Sequence, residues 1–162
     1  MGAYNLCVGQ RYRRPHDLNQ GKHFAFARQV TSSISTNARK IVFAAQNVIG
    51  SSYDEEGYGP YFFCPAGLVY HCLNNSGLYV DRLTCAEYAQ LTGYKRIEDR
   101  AQLREGDIVF FYDGHGSNRA IRNAGICISE KDMITVGKDS DVHIQTLTNT
   151  WAEKNFAHGL RF

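Results

Sequence analysis

The residue types that can do chemistry gather in residues 53–73, YDEEGYGPYFFCPAGLVYHCL, where an aromatic, glycine-bearing loop runs into a helix. Cys64 stands at the junction and Pro65 follows it. Proline suits the first helical position, where a missing N–H costs nothing and φ is already near the helical value. Leu68, Val69, Cys72 and Leu73 then recur at helical spacing and predict a buried face. A thiol at a helix N-terminus meets the positive end of the helix dipole, which lowers its pKa and makes it a nucleophile. The same residue also reads as a small apolar group packed under a loop, the commoner fate of a free cysteine. A nucleophilic thiol needs a base, and His71 does not supply one. It lies two helical turns beyond Cys64, roughly 10 Å along the axis.

The other cysteines, Cys7, Cys72, Cys85 and Cys127, bring the number to five, with no CxxC pairing. That pattern suggests neither a zinc site nor a disulfide framework, and no metal or cofactor is expected. The length of 162 residues points to one globular core. No apolar run is long enough for a transmembrane helix, and the first residues, MGAYNLCVGQRYRRP, lack the apolar core of a signal peptide. Synthesis without Sec-type export is the expectation. Charge is uneven. Residues 1–40 hold seven cationic residues, Arg11, Arg13, Arg14, Lys22, Arg28, Arg39 and Lys40, against the single acid Asp17. Residues 1–34 therefore read as a basic arm or loop, which is either simply solvated or offered to an anionic partner such as nucleic acid, teichoic acid or a membrane surface.

The elements that must position Cys64 follow from periodicity. A helix is predicted over 36–49, capped by Ser35 or Thr36, with Ile41, Val42, Ala45, Val48 and Ile49 as its apolar face. The Cys64 helix spans 65–75, and a short helix covers 83–91. Strands follow near 107–112, 123–129, 133–137 and 142–147. One helical turn around Trp151 and a last strand in HGLRF complete the chain. Helices first and an antiparallel meander afterwards give an α+β fold with the N-terminal helices packed on a central sheet, occupying 35–162.

This order of motifs resembles the NlpC-type papain-like cysteine peptidases that cut cell-wall stem peptides. "GSSY" looks like the family's G-x-x-Y, "CPAGLVYHCL" is similar to its D-C-S-G-L-V helix, and "YVDRLT" resembles its P-R-T/S segment. "LREGDIVFF" is nearly its L-x-x-G-D-L-V-F-F strand. "NAGICIS" looks like H-V-G-I-Y-L and "MITVG" like I-H-A.

The resemblance implies a Cys–His mechanism oriented by a third polar group. It also implies that this chain departs from it. Without gaps, Pro65 falls on the nucleophile, Asn123 on the base and Thr135 on the orienting residue, while Cys64 replaces the aspartate before the nucleophile. An amide accepts no proton at physiological pH, so Asn123 is no general base. The expectation is a catalytically degenerate module that binds a cell-wall (peptidoglycan) peptide or a protein partner. The resemblance places Tyr53 and Arg82 on substrate-side positions, and Tyr58 and Tyr61 are expected beside the same cleft. The alternative is an active endopeptidase or amidase with Cys64 as nucleophile and His115 as base. His143 and His158 are expected to be satisfied or exposed. Without a leader, a protein of this kind would reach the wall by a phage tail, an injection apparatus or a host lysis route, or would act as a cytoplasmic adaptor.

Overall fold

The computed structural model describes residues 35–114 and 116–162. The basic arm expected at 1–34 and the base expected at His115 lie outside the described residues. Helix α1, Thr36–Gln46, buries Ile41, Val42, Ala44 and Ala45. It stops short of the expected residue 49 because the next turn is needed elsewhere. The Gly50 N–H donates to Val142 O (2.8 Å), and Val142 N–H returns to Ser51 O (2.9 Å). That exchange ties the chain to the sheet edge and leaves Ile49 exposed.

Two two-residue strands, β1 (Ser52–Tyr53) and β2 (Phe62–Phe63), pair in parallel around the aromatic loop. Helix α2, Pro65–Asn75, follows at once, with Ala66, Gly67, Leu68, Val69, Cys72 and Leu73 buried. It ends in a Schellman arrangement: Leu78 N–H reaches Leu73 O (3.0 Å) and Gly77 N–H reaches Asn74 O (3.1 Å). Helix α3 is only Cys85–Tyr88, shorter than the expected 83–91. A capping box starts it: Glu87 N–H donates to Thr84 Oγ1 (3.2 Å) and Thr84 N–H to Glu87 Oε2 (2.8 Å). Leu83, just before it, is held out of the helix because its carbonyl accepts from Tyr58 Oη (3.0 Å).

The remaining strands form one antiparallel sheet: β3 (Lys95–Ile97), β4 (Ile108–Asp113), β5 (Ala120–Cys127), β6 (Asp132–Gly137), β7 (Ser140–Thr146) and β8 (Phe156–Arg161). Their spatial order is β3-β8-β4-β5-β6-β7, so the last strand lies between β3 and β4. Strand alternation splits the core in two. Ile108, Phe110, Ala124, Ile126, Ile134 and Val136 face the helices α1 to α3. Val109, Phe111, Cys127 and Met133 face the other way, under helix α4, Thr150–Asn155.

The turn into β4 is the firmest joint. Gly106 has φ +89°, and a Cβ there would sit 2.4 Å from that of Ala38, so α1 rests directly on the turn. Asp107 is fully buried. Its Oδ1 accepts from Arg161 Nε (2.7 Å), and its Oδ2 from Arg161 Nη2 (2.7 Å) and Arg104 N–H (2.8 Å). The bidentate pair locks β8 against the start of β4. Among the described residues no helix is long and apolar enough to cross a membrane.

Candidate functional site

The site is built where the aromatic loop lies on the first turn of α2. Cys64 N–H donates to Gly57 O (2.8 Å), and Gly59 N–H to Phe62 O (2.8 Å), which folds the loop back on itself. A Cβ on Gly67 would sit 1.8 Å from Gly57 O, so only glycine lets the helix seat against the loop. Pro65 takes the first helical position and Cys64 is the N-cap, in extended backbone. Its sulfur accepts the Gly67 N–H at 3.3 Å. A sulfur in this place does the work of an aspartate or serine cap, satisfying one of the free N–H groups at the helix start.

Cys64 is 8 % exposed. Burial raises its thiol pKa above the ordinary value, and the Asp54 carboxylate adds to the rise. The N–H groups of Gly67, Ala66 and Cys64 itself pull it down by less. At this helix start burial outweighs the lowering effect of the N–H groups. The Cys85 thiol, in the same cleft, is pushed up to about 12, chiefly by burial.

The cleft in front of this turn has a volume of about 660 Å³. Tyr53, Glu55 and Tyr58 from the loop, Cys64, Pro65 and Ala66 from α2, and Thr84 and Cys85 from α3 form one wall. Asp113, Ile121, Arg122 and Asn123 from β4 and β5, with Gly137 at the end of β6 and Lys138 after it, form the other. Two carboxylates and two cations therefore look into it, a lining suited to a ligand that carries both signs of charge. Burial raises the Tyr53 and Tyr58 phenols above their ordinary values.

Of the residues singled out from sequence, Cys64, Pro65, Asn123, Tyr53 and Tyr58 meet in this cleft. Arg82 and Tyr61 do not. They line an adjacent recess of about 370 Å³ with Asp54, Glu56 and Phe62, and Tyr58 borders both. The Arg82 guanidinium lies 5.2 Å from the Tyr58 ring centroid and 5.4 Å from that of Tyr70, a double cation–π contact that fixes it. Tyr61 is 76 % exposed.

Thr135 is also elsewhere. Its hydroxyl donates to Ala124 O (2.8 Å), and it lies in a third pocket, of about 300 Å³, that includes Met133 and Trp151 from the face opposite α2. Asn123 follows a bulge at Arg122, since Phe111 pairs with Asn123 but Tyr112 with Ile121. Placed there, it borders both this pocket and the cleft. The buried His158 has its Nε2 2.8 Å from Ala89 O. His71 packs edge-on against Phe63, with ring centroids 5.2 Å apart, and does not line the cleft of Cys64. Sequence reasoning missed Glu55, Asp113, Arg122 and Lys138. Only the acidic run of the loop and the polar turn after β4 hinted at any of them.

Comparison with known proteins gives a consistent result. The profile of the NlpC/P60 family matches residues 50–161. "Probable endopeptidase p60" of Listeria innocua is 33% identical over 94 residues, 58% of this chain but only 18% of that protein. This chain thus spans less than a fifth of the curated relatives it matches. Among solved structures, NlpC2 from Trichomonas vaginalis superposes with a TM-score of 0.68 at 18% identity, covering 80% of this chain and 47% of the other. RipD from Mycobacterium tuberculosis, described as a non-catalytic NlpC/p60 domain protein adapted to peptidoglycan binding, gives 0.58 at 17%, covering 77% and 96%.

Proposed function

The chain belongs to the NlpC/P60 family, and from that premise we propose that it is a binding module for cell-wall stem peptides that no longer cuts them. The observation that carries this reading is the turn at Cys64 and Pro65. The thiol that sequence offers as a nucleophile is engaged as a helix cap, and the residue after it is a proline with no nucleophilic atom. Across the cleft stands Asn123, whose amide takes up no proton. Peptidase chemistry depends on nucleophile and base acting as a unit, and loss of the unit removes many powers of ten in rate. The cleft itself remains open, and its paired charges suit a peptide bearing free carboxylates and an amine. The description of RipD as non-catalytic and peptidoglycan-binding is a precedent on the same fold.

The test is to titrate the protein with a sugar-free stem tetrapeptide by calorimetry and to search the mixture for fragments by mass spectrometry. Saturable heat without fragments is the expected result. Fragments that disappear in Cys64→Ser would overturn the reading. Their disappearance in His115→Ala as well would establish a Cys64–His115 dyad. The converse experiment combines Pro65→Cys, Asn123→His and Thr135→His, and turnover gained there would support a cleft that still presents its peptide to the old chemistry.

A further inference from the structure

The pocket on the sheet face opposite α2 has a composition unlike that of the cleft. No lysine, arginine, aspartate or glutamate lines it. Trp151, 40 % exposed, is one wall, and its indole is anchored by packing on Phe111 with ring centroids 4.9 Å apart. Around it stand Asn123, Ser140 and Gln145, and among the described residues their side chains have no hydrogen-bond partner within the protein. His143 is oriented. Its Nδ1 lies 2.7 Å from Asp141 O. A carbonyl only accepts, so Nδ1 carries the proton, and in the neutral ring Nε2 is left as an acceptor. Met133 closes the floor of the pocket and is itself buried.

A half-exposed indole beside uncommitted amides, a hydroxyl and an imidazole, with no charge, matches one kind of ligand best. A pyranose ring has an apolar C–H face to lay on an aromatic ring and a rim of hydroxyls that both donate and accept. An acetamido group adds an amide that pairs with Asn123 or Gln145 through complementary donor and acceptor. The volume of about 300 Å³ suits one such ring. We propose that this pocket is a subsite for an N-acetylhexosamine, separate from the peptide cleft and joined to it through Asn123 and Gly137, which border both. The sugar is recognised by the indole, the two amides and the His143 acceptor. A ligand carrying both a sugar and a peptide can occupy the two sites at once, which makes the pair a reader of glycopeptides.

Trp151 is the single tryptophan of the chain, so its fluorescence reports on this pocket alone. The probe is tri-N-acetylchitotriose at millimolar concentration, with maltotriose as the sugar lacking acetamido groups. A saturable change in emission with the first and none with the second is expected. Gln145→Ala should weaken binding about three- to tenfold, the loss of one hydrogen bond. Lys138→Ala, which touches only the cleft, should leave it unchanged. Calorimetry with Trp151→Phe, which retains an aromatic ring against Phe111, gives a second reading and should show weakened binding. The proposal is overturned by absence of saturable binding in both fluorescence and calorimetry, by equal affinity for maltotriose, or by unchanged affinity in both Gln145→Ala and Trp151→Phe. The sugar-free stem peptide, titrated in parallel, keeps the two ideas apart. Peptide binding without sugar binding sinks only this subsite, whereas sugar binding without peptide binding sinks only the peptide function.

Discussion

The two ends of strand β4 are made of opposite materials. At its start, Asp107 is fully buried and both its oxygens are taken by Arg161, with a further bond from the Arg104 amide. Towards its far end, Arg122 and Asn123 on the neighbouring β5 and Lys138 after β6 line the cleft, and among the described residues no hydrogen bond holds their side chains. A buried charge must be matched within the protein, whereas an unmatched polar group at a cleft wall is free to meet a ligand. The comparison teaches that the fold is held by one set of residues and the binding surface offered by another. The account therefore predicts that substitutions at the first end move stability and those at the second move binding.

The largest effect is expected at the joint. Asp107→Ala leaves Arg161 only the Gln102 carbonyl and should cost about 3 kcal/mol in urea denaturation, the lower end for a broken buried pair. A loss below 1 kcal/mol, the range of exposed ion pairs, would erase the contrast. Next comes the seat of the helix. Gly67→Ala forces a methyl into the Gly57 carbonyl and should cost about 3 kcal/mol, the upper end of ordinary overpacking. Cys64→Ala removes only a cap and should cost about 1 kcal/mol, while Cys64→Ser supplies an oxygen cap and should be close to neutral. Smallest of all, Arg122→Ala and Lys138→Ala should change stability by less than about 0.5 kcal/mol, yet weaken peptide binding.

Acid sharpens the same contrast. Burial lowers the pKa of His71 and His158 in the folded protein, the Ala89 carbonyl opposing this in part for His158. The unfolded chain therefore takes up protons first, below its ordinary histidine pKa of about 6.5. Stability from these two groups is full above that pH and is lost as pH falls through it towards the lowered folded values. Urea midpoints should drop between neutral and mildly acidic pH, and His71→Gln should reduce the drop. Unchanged midpoints would place both rings in contact with water.

Sequence revealed the fold where local signals and tertiary structure agree. Proline at the first turn of α2, four apolar residues at helical spacing after it, and the glycine–aspartate turn into β4 each carry their own physical cause. It failed where tertiary hydrogen bonds decide. β1 and β2 are two residues each and have no period to detect. β3 is an edge strand whose Lys95 and Arg96 are exposed. Residues 120–122 of β5 fell outside the strand expected at 123–129, because the bulge at Arg122 that carries the strand through them is defined only by the partner strand. The site was legible in part for the same reason. Cys64, Pro65 and Asn123 lie within motifs, whereas the pocket that holds Trp151, His143 and Gln145 is assembled from four elements, β5, β6, β7 and α4, and leaves no spacing in the chain.

The central claim is that Cys64 serves α2 as a cap and is no activated nucleophile. Its rate of alkylation by iodoacetamide, followed across pH and resolved from the other four cysteines by peptide mass spectrometry, tests that most directly. The account predicts a rate below that of free glutathione at neutral pH, rising only above the ordinary thiol range of about 8.5. Fast labelling at neutral pH with a midpoint below that range would contradict it.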